Sequence, residues 1–201
     1  MNFLFDIGRV LLDFDFEPSL SRLLPENTKN KSDYISQILN QKDTLEAGII
    51  SPENFTSWAL DVLGNNITAE QFQFAWQQIF TANTPMWKSV HKLANNGHQL
   101  ILISNISAIH WPWILQTFPD FSLFKGSVLS FEIGFLKPQP EIYQHAITTF
   151  KLDPTTTIYI DDMAQNIVAG KQFGFHCWQY ELNNHHTFET WLDNILGQVE
   201  Y

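Results

Sequence analysis

The sequence has few of the features that mark secreted or membrane-spanning proteins. It contains one cysteine, Cys177, in 201 residues, which excludes a disulfide framework and a zinc cluster built from thiolates. No apolar run approaches the ~18–20 residues that a transmembrane helix needs. The first residues lack a basic segment and soon reach Asp6, unlike a secretory signal peptide. We therefore expect a cytoplasmic protein that does not associate with a membrane.

Positive charge is also scarce. Lysine and arginine number 11 against 21 aspartates and glutamates, which gives a net charge of −10 at neutral pH. Such a surface repels phosphate backbones, so we expect no nucleic-acid partner. Aromatic residues, in contrast, are abundant, with 17 Phe and 7 Trp. This composition argues against intrinsic disorder and, at this length, predicts a well-packed core.

Five short apolar runs stand out along the chain. They cover residues 3–5, 100–103, 128–129, 158–160 and 175–178. Continuous runs of this length are typical of parallel strands buried on both faces. Segments of helical length separate the later runs, with Pro140 at the start of one and Gly97 and Gly174 after two others. The alternation predicts an α/β fold with a Rossmann-like, doubly wound parallel sheet.

The segment after the first strand has a different pattern. Ser51-Pro52 is typical of a helix start, and Thr68 has capping-box spacing to Gln71. Apolar residues then recur at helical intervals, and no convincing strand interrupts them. We therefore predict a core domain formed by residues 1–14 and 83–201, with a small helical cap domain, residues 15–82, inserted after the first strand.

Polar residues follow several of the predicted strands. They are Asp6, the pair Ser104-Asn105 and the pair Asp161-Asp162, with Lys137 in a loop and Asn166 one helical turn further on. Ligands of open α/β sheets bind at the carboxyl ends of the strands, so we expect these side chains to meet. Clustered carboxylates repel one another unless a cation joins them, and a set of oxygen ligands favours Mg²⁺. A lysine beside such an ion suits a phosphoryl group.

Each of these residues also has a simpler structural explanation. Asp6 could be a polar turn residue, and Lys137 could be a solvated surface charge. Asp162 could cap the helix that follows it, and Ser104 is also a favoured capping residue. The combination is more specific than its members, because all of them fall at or near predicted strand ends in one order along the chain.

Four motifs make the chain resemble a known family. They are Phe5-Asp6-Ile7-Gly8, Ile103-Ser104-Asn105, Lys137-Pro138 and Ile160-Asp161-Asp162 with Asn166. In this order they are similar to the motifs of the haloacid dehalogenase (HAD) superfamily, in which a small cap is inserted after the first strand. The opening run is similar to the branch that contains bacterial α-glucose-1-phosphate phosphatases and the N-terminal phosphatase domain of soluble epoxide hydrolases.

The resemblance implies a role for each motif residue. Asp6 is implied as the catalytic nucleophile, which becomes an aspartyl-phosphate, with Lys137 as its catalytic partner. Asp6, Asp162 and the carbonyl of Gly8 are the implied ligands of Mg²⁺. Phosphate binding is implied for Ser104, Asn105 and Lys137, and orientation of the metal site for Asp161 and Asn166. The implied activity is a Mg²⁺-dependent phosphatase acting on a small phosphorylated metabolite, as a monomer or homodimer.

The chain departs from the family pattern at Gly8, where most of the phosphatases carry an aspartate that acts as general acid and base. Either another group takes over that role, or the enzyme prefers good leaving groups, or turnover is slow. A haloacid dehalogenase-type hydrolase and a catalytically weak regulator that binds a phosphometabolite or a protein partner therefore remain alternatives. Arg9, next to Gly8, could contact the substrate or form a salt bridge with a cap carboxylate.

Overall fold

The computed structural model describes residues 1–64 and 66–197, so residues 198–201 of the predicted core range lie outside it. Seven strands are present in the described part of the chain. They are β1 (Asn2–Phe5), β2 (Leu12–Phe14), β3 (Phe80–Ala82), β4 (Gln99–Ser104), β5 (Gly126–Leu129), β6 (Thr157–Asp161) and β7 (His176–Gln179). Five of them form a parallel sheet in the order β5-β4-β1-β6-β7. These are the five apolar runs, so the predicted α/β fold is confirmed.

The helices surround this sheet and fill the insertion. They are α1 (Phe16–Ser21), α2 (Lys31–Leu39), α3 (Lys42–Glu46), α4 (Pro52–Val62), α5 (Ala69–Gln77), α6 (Thr84–Asn95), α7 (His110–Thr117), α8 (Ser130–Ile133), α9 (Pro140–Phe150), α10 (Ala164–Gln172) and α11 (His185–Gly197). Short 3-10 helices span Pro119–Leu123, Pro154–Thr156 and Leu182–Asn184. Across residues 1–64 and 66–197, no helix is both long and apolar enough to cross a membrane.

The sheet is the middle of three layers. Side chains alternate between the two faces along each strand. Phe3 and Phe5 of β1 therefore pack on one face with α6, α7 and α11. Leu4 packs on the other face with α9 and α10. Both faces are covered by apolar residues, which explains why the strands appear in the sequence as continuous apolar runs. β1 lies at the centre, with Phe5 level with Leu102 of β4 and with Ile160 of β6.

Helices α1 to α5 form a helical insertion, residues 16–77, with an apolar cluster of its own. Phe55, Phe72 and Trp76 are fully buried in that cluster. The helix starts follow the sequence pattern: Ser51 accepts a hydrogen bond from the backbone N–H of Asn54 at 3.2 Å, and Thr68 forms a complete capping box with Gln71. The predicted helical content of this segment is confirmed.

The two connections between the insertion and the sheet pair with each other. β2 and β3 run antiparallel, with Leu12 opposite Ala82 and Phe14 opposite Phe80. The expectation that no strand occurs in residues 15–82 is therefore wrong at Phe80–Ala82. A three-residue strand whose partner is remote in sequence carries too short a pattern to be recognised locally.

Candidate active site

The polar residues predicted at the strand ends lie together at one edge of the sheet. Asp6 directly follows β1, Ser104 is the last residue of β4, and Asp161 is the last residue of β6. β4 and β6 flank β1, and the backbone N–H of Asp6 donates to the carbonyl of Ile160 at 3.0 Å. The strand order therefore brings side chains from three distant parts of the chain to one place.

Three donors converge on one oxygen of the buried Asp6 carboxylate. Oδ1 accepts hydrogen bonds from the backbone N–H of Ile7 and from the Ser104 hydroxyl, both at 2.7 Å, and lies 2.8 Å from Nζ of Lys137. Among the described residues, none donates a hydrogen bond to Oδ2. Burial raises the pKa of Asp6, and Lys137 opposes the rise. One oxygen is thus held in place, while the other keeps its lone pairs for a ligand.

Lys137 is held through both its side chain and its main chain. Its ammonium group lies 2.6 Å from Oδ2 of Asp161. Burial would lower the pKa of Lys137, but the negative charges of Asp161 and Asp6 raise it overall. Its backbone N–H donates to Oδ1 of Asn105 at 2.7 Å, and Nδ2 of Asn105 donates to its carbonyl at 3.0 Å. The contact between the Asn105 side chain and the main chain of Lys137 was not predicted, and through it Asn105 positions the lysine.

The buried carboxylate of Asp161 is saturated by protein donors. Oδ1 accepts from the backbone N–H of Met163 and from Nδ2 of Asn166, both at 2.9 Å. Oδ2 accepts from the hydroxyl of Tyr159 at 2.6 Å in addition to Lys137. Tyr159 belongs to the site but was not predicted, because a tyrosine in a buried strand carries no signal that distinguishes it from a core residue.

Asp162 points to the same place but is only half-buried. Burial, together with the charges of Asp6 and Asp161, raises the pKa of Asp162 to about 7. Its carbonyl accepts from Nε2 of Gln179 at 3.1 Å. The alternative that Asp162 caps the next helix is wrong, because α10 begins after Met163 and has no side-chain cap. No other described residue is hydrogen-bonded to its carboxylate, which can therefore take another partner.

These residues fit a magnesium ion. Asp6, Asp161 and Asp162 each offer an oxygen, and these oxygens lie within 4.8 Å of one another. Asp161 is fully occupied by protein donors, so Asp6 and Asp162 are the better candidates for direct ligands. Asn166 has a buried Oδ1 without a hydrogen-bond partner in the described structure, an acceptor suited to a water on such an ion. An all-oxygen donor set is the one that Mg²⁺ prefers.

The acidic cluster opens into a cavity of about 380 Å³. Its lining includes Asp6, Gly8, Ser104, Asn105, Lys137, Asp162 and Asn166. Aromatic side chains form another part of the wall, among them Phe14, Phe16 and Phe80. The helical insertion therefore contributes to the wall that faces the sheet edge, and a molecule of a few carbon atoms with one phosphoryl group fits the volume.

Helix α3 places an ion pair in the cavity wall that sequence analysis missed. Nζ of Lys42 lies 2.6 Å from Oε2 of Glu46, and only 7% of the Glu46 side chain is exposed. Burial raises the pKa of Glu46 to about 7 although Lys42 opposes the rise. The i, i+4 spacing of the pair is visible in the sequence. The burial of Glu46 is not visible in the sequence, because α3 packs against α8, which is distant in the chain.

Arg9 and Gly8 complete this side of the cavity. The Arg9 guanidinium forms a salt bridge with Asp13 and lies over the Phe14 ring, 4.7 Å from its centre. Asp13 thus belongs to β2 and lies outside the predicted cap range of residues 15–82. A Cβ atom at Gly8 would lie 3.0 Å from Cε1 of Phe14, so this loop runs close to the ring. The predicted metal contact of the Gly8 carbonyl stays a prediction.

The fold and the cluster define the class of protein: an α/β protein with clustered carboxylates and a lysine at the carboxyl edge of a Rossmann-like sheet, where such folds bind their ligands. The family model of haloacid dehalogenase-like hydrolases matches residues 2–174, and the chain belongs to this family. It is therefore a hydrolase, and the resemblance drawn from the four motifs is confirmed.

Known relatives agree with this placement. A D-ribitol-5-phosphate phosphatase of Bacteroides thetaiotaomicron is 27% identical over 194 residues, which cover 90% of this chain and 91% of that protein. The bifunctional epoxide hydrolase 2 of Rattus norvegicus is 22% identical over 142 residues, 67% of this chain and 23% of the longer protein. A HAD family enzyme of Bacteroides thetaiotaomicron, solved with magnesium and inorganic phosphate, superposes with a TM-score of 0.78 at 25% identity and covers 91% of this chain and 95% of that one.

Proposed function

We propose that this chain is a Mg²⁺-dependent phosphatase that hydrolyses a small phosphorylated metabolite through an aspartyl-phosphate on Asp6. The observation that carries the proposal is the unequal state of the two Asp6 oxygens. Three donors hold Oδ1, whereas no described residue donates to Oδ2, and Asp6 lines the cavity. A carboxylate held in this way presents one oxygen to phosphorus in a fixed direction.

The proposed reaction has two steps at phosphorus. In the first, Oδ2 of Asp6 attacks phosphorus, the bond from phosphorus to the ester oxygen breaks, and the leaving alcohol takes up a proton. In the second, water attacks the same phosphorus, the bond to Asp6 breaks, and inorganic phosphate leaves. Splitting one displacement into two lets the same carboxylate serve as nucleophile and as leaving group.

The other residues are assigned to binding and to charge. Ser104, Asn105 and Lys137 bind the phosphoryl oxygens. Lys137 remains protonated throughout, since the two carboxylates beside it raise its pKa. When bound by Asp6, Asp162 and the Gly8 carbonyl, Mg²⁺ supplies positive charge to the transferring phosphoryl group.

Asp161 and Asn166 are assigned to orientation of this site. Oδ2 of Asp161 accepts a hydrogen bond from the ammonium group of Lys137, and its Oδ1 accepts one from Nδ2 of Asn166. Neither side chain contacts the substrate in the proposed mechanism. Such supporting contacts are a regular part of metal sites and have large effects on metal affinity.

The helical insertion is proposed to act as the cap. It belongs to the predicted cap domain of residues 15–82, placed on a core formed by residues 1–14 and 83–201. The antiparallel ribbon of β2 and β3 joins the two parts, and α3 contributes to the cavity wall. A cap in this position would select the substrate and exclude water from the phosphoryl group.

A dehalogenase activity fits the charges of the site less well. Asp6, Asp161 and Asp162 face a single cation, Lys137, within the cluster. A haloacid would bring one more negative charge into this cluster, whereas Mg²⁺ together with a phosphate ester neutralises it. The similarity to a D-ribitol-5-phosphate phosphatase also supports the phosphatase and suggests polyol phosphates as the first substrates to screen.

The test is hydrolysis of p-nitrophenyl phosphate and a panel of sugar and polyol phosphates, with Mg²⁺ and with EDTA. We expect turnover that requires the metal and that Asp6→Asn abolishes, since the amide keeps the shape but is not a nucleophile. Asp33→Asn, an exposed residue of α2, is the matched control and should retain full activity. Binding of beryllium fluoride without turnover of any ester would support a regulator instead, and release of halide from a haloacid would support the dehalogenase.

A further inference from the structure

The proposed reaction lacks a proton donor at Gly8, and the cavity wall offers few replacements. Of the titratable side chains that line it, Asp6, Lys137 and Asp162 belong to the phosphoryl and metal site. Arg9 is engaged in a salt bridge with Asp13, and a guanidinium is too weak an acid to protonate a leaving group. A proton donor for the leaving group must therefore come from elsewhere in the wall.

His110 does not provide that proton. Its ring is buried and stacked on the indole of Trp76, and its Nε2 lies 2.9 Å from the Trp76 carbonyl, to which it must donate. Burial lowers the pKa of His110 to about 4, so the ring is neutral near pH 7 and its single N–H is in use. Of the groups of α3 that line the described wall, the Lys42 ammonium is paired with Glu46, and the carboxylic acids are Asp43 and Glu46.

Glu46 differs from Asp43 in burial and in attachment. The side chain of Asp43 is 80% exposed, whereas that of Glu46 is 7% exposed. The carbonyl of Glu46 accepts a hydrogen bond from the Ser130 hydroxyl at 2.6 Å, and the same hydroxyl accepts from the backbone N–H of Ile106 at 3.0 Å. Ile106 lies two residues after Ser104. Through Ser130, the backbone of Glu46 is therefore hydrogen-bonded to the loop that follows β4 at the proposed phosphate site.

The carboxyl group of Glu46 can exist in both protonation states. Lys42 contacts Oε2 at 2.6 Å and stabilises the carboxylate, while burial favours the neutral acid. None of the described residues donates a hydrogen bond to Oε1. A group with one oxygen held and its neutral form accessible near pH 7 has the properties required of a general acid that must later act as a base.

We propose that Glu46 is the general acid and base of the proposed phosphatase reaction, in the role that Gly8 cannot perform. As the bond from phosphorus to the ester oxygen breaks, Glu46 gives its proton to that oxygen and becomes a carboxylate paired with Lys42. In the second step this carboxylate takes a proton from the water that attacks phosphorus. Phosphate leaves, and Glu46 is again protonated, so the cycle is balanced.

The test compares leaving groups in Glu46→Gln and in the wild type, both with Mg²⁺. An alkyl phosphate needs a proton on its leaving oxygen, whereas p-nitrophenolate leaves without one. We compare kcat/KM, which reports the first step and not the hydrolysis of the aspartyl-phosphate that both substrates share. We expect Glu46→Gln to lower kcat/KM on an alkyl phosphate by about 100-fold or more and on p-nitrophenyl phosphate by no more than a few-fold. Retained aryl phosphatase activity also shows that the variant is folded. Glu53→Gln, at an exposed position of α4, should change neither rate.

Other outcomes separate this inference from the proposal on which it rests. Equal losses of kcat/KM on both substrates, or no loss on either, would overturn the role of Glu46 and leave the phosphatase intact. If Glu46→Gln does not fold, Glu46→Asp replaces it. We then expect a selective loss on the alkyl phosphate, and an unselective loss would count against the role. A wild type that hydrolyses no phosphate ester would overturn the proposed function and this inference with it.

Discussion

Nζ of Lys137 lies 2.6 Å from Oδ2 of Asp161, and the exposed fractions of the two side chains are 1% and 0%. Asp6, with a side chain 10% exposed, contacts the same ammonium group at 2.8 Å. Lys137→Met should therefore leave two buried carboxylates without their cation. We expect the free energy of unfolding at pH 7 to fall by about 3–5 kcal/mol, the usual cost of breaking a buried pair, measured by urea denaturation.

A double-mutant cycle with Asp161→Asn separates the pair from the rest of the site. The coupling energy of Lys137 and Asp161 should exceed that of Lys92 and Asp193, which lie 2.9 Å apart on the surface with more than half of each side chain exposed. Exposed pairs are typically worth less than about 1 kcal/mol. Equal coupling energies for the two pairs would contradict the view that burial controls this interaction.

Magnesium should stabilise the protein through Asp162. The carboxylate of Asp162 lies beside those of Asp6 and Asp161. A divalent cation bound by these carboxylates offsets the repulsion between them. We expect a rise in Tm with Mg²⁺ in the wild type, worth about 2.7 kcal/mol at a concentration 100 times Kd. Asp162→Asn should lose most of this rise and should not be less stable than the wild type in EDTA.

Asp33→Asn serves as the control for this measurement, because it removes one exposed carboxylate far from the cluster in sequence. It should show the same Tm increase as the wild type. An undiminished increase in Asp162→Asn would place the metal elsewhere.

His110 should make stability depend on pH. Burial lowers the pKa of His110 to about 4, against about 6.5 in an unfolded chain. Between these values the unfolded state binds more protons, so the contribution of this residue to stability falls as the pH falls. We expect the difference in unfolding free energy between the wild type and His110→Gln to shrink by about 2 kcal/mol from pH 7 to pH 5.

Denaturation at the two pH values, carried out on both proteins, measures this change. Comparing the two proteins at each pH cancels the titration of Glu46 and of every other group that both retain. A difference that stays constant between pH 7 and pH 5 would mean that the buried ring accepts a proton as readily as a free one.

Much of the sheet could be predicted because its strands are buried on both faces. Such strands need apolar residues at every position, and residues 3–5 and 158–160 show this in the sequence alone. The polar residues that end them, Asp6 and Asp161, were found for the same reason, since each interrupts an apolar run at a sheet edge where ligands bind. The strand β3 was not found, because its pairing with β2 joins residues that are distant in the chain.

The types of group at the site, and their order along the chain, follow from local sequence, because an apolar run with a polar end is a local pattern. The contacts that each group makes do not follow from local sequence. Which oxygen of Asp6 is left without a donor, which side chain holds Lys137 and which acid of α3 is buried all depend on neighbours from distant segments. Glu46 looks like an ordinary polar residue in the sequence, and Asn105 was recognised there only through its motif. The contacts of Asn105 with Lys137 and of Glu46 with Ser130 form when the chain folds.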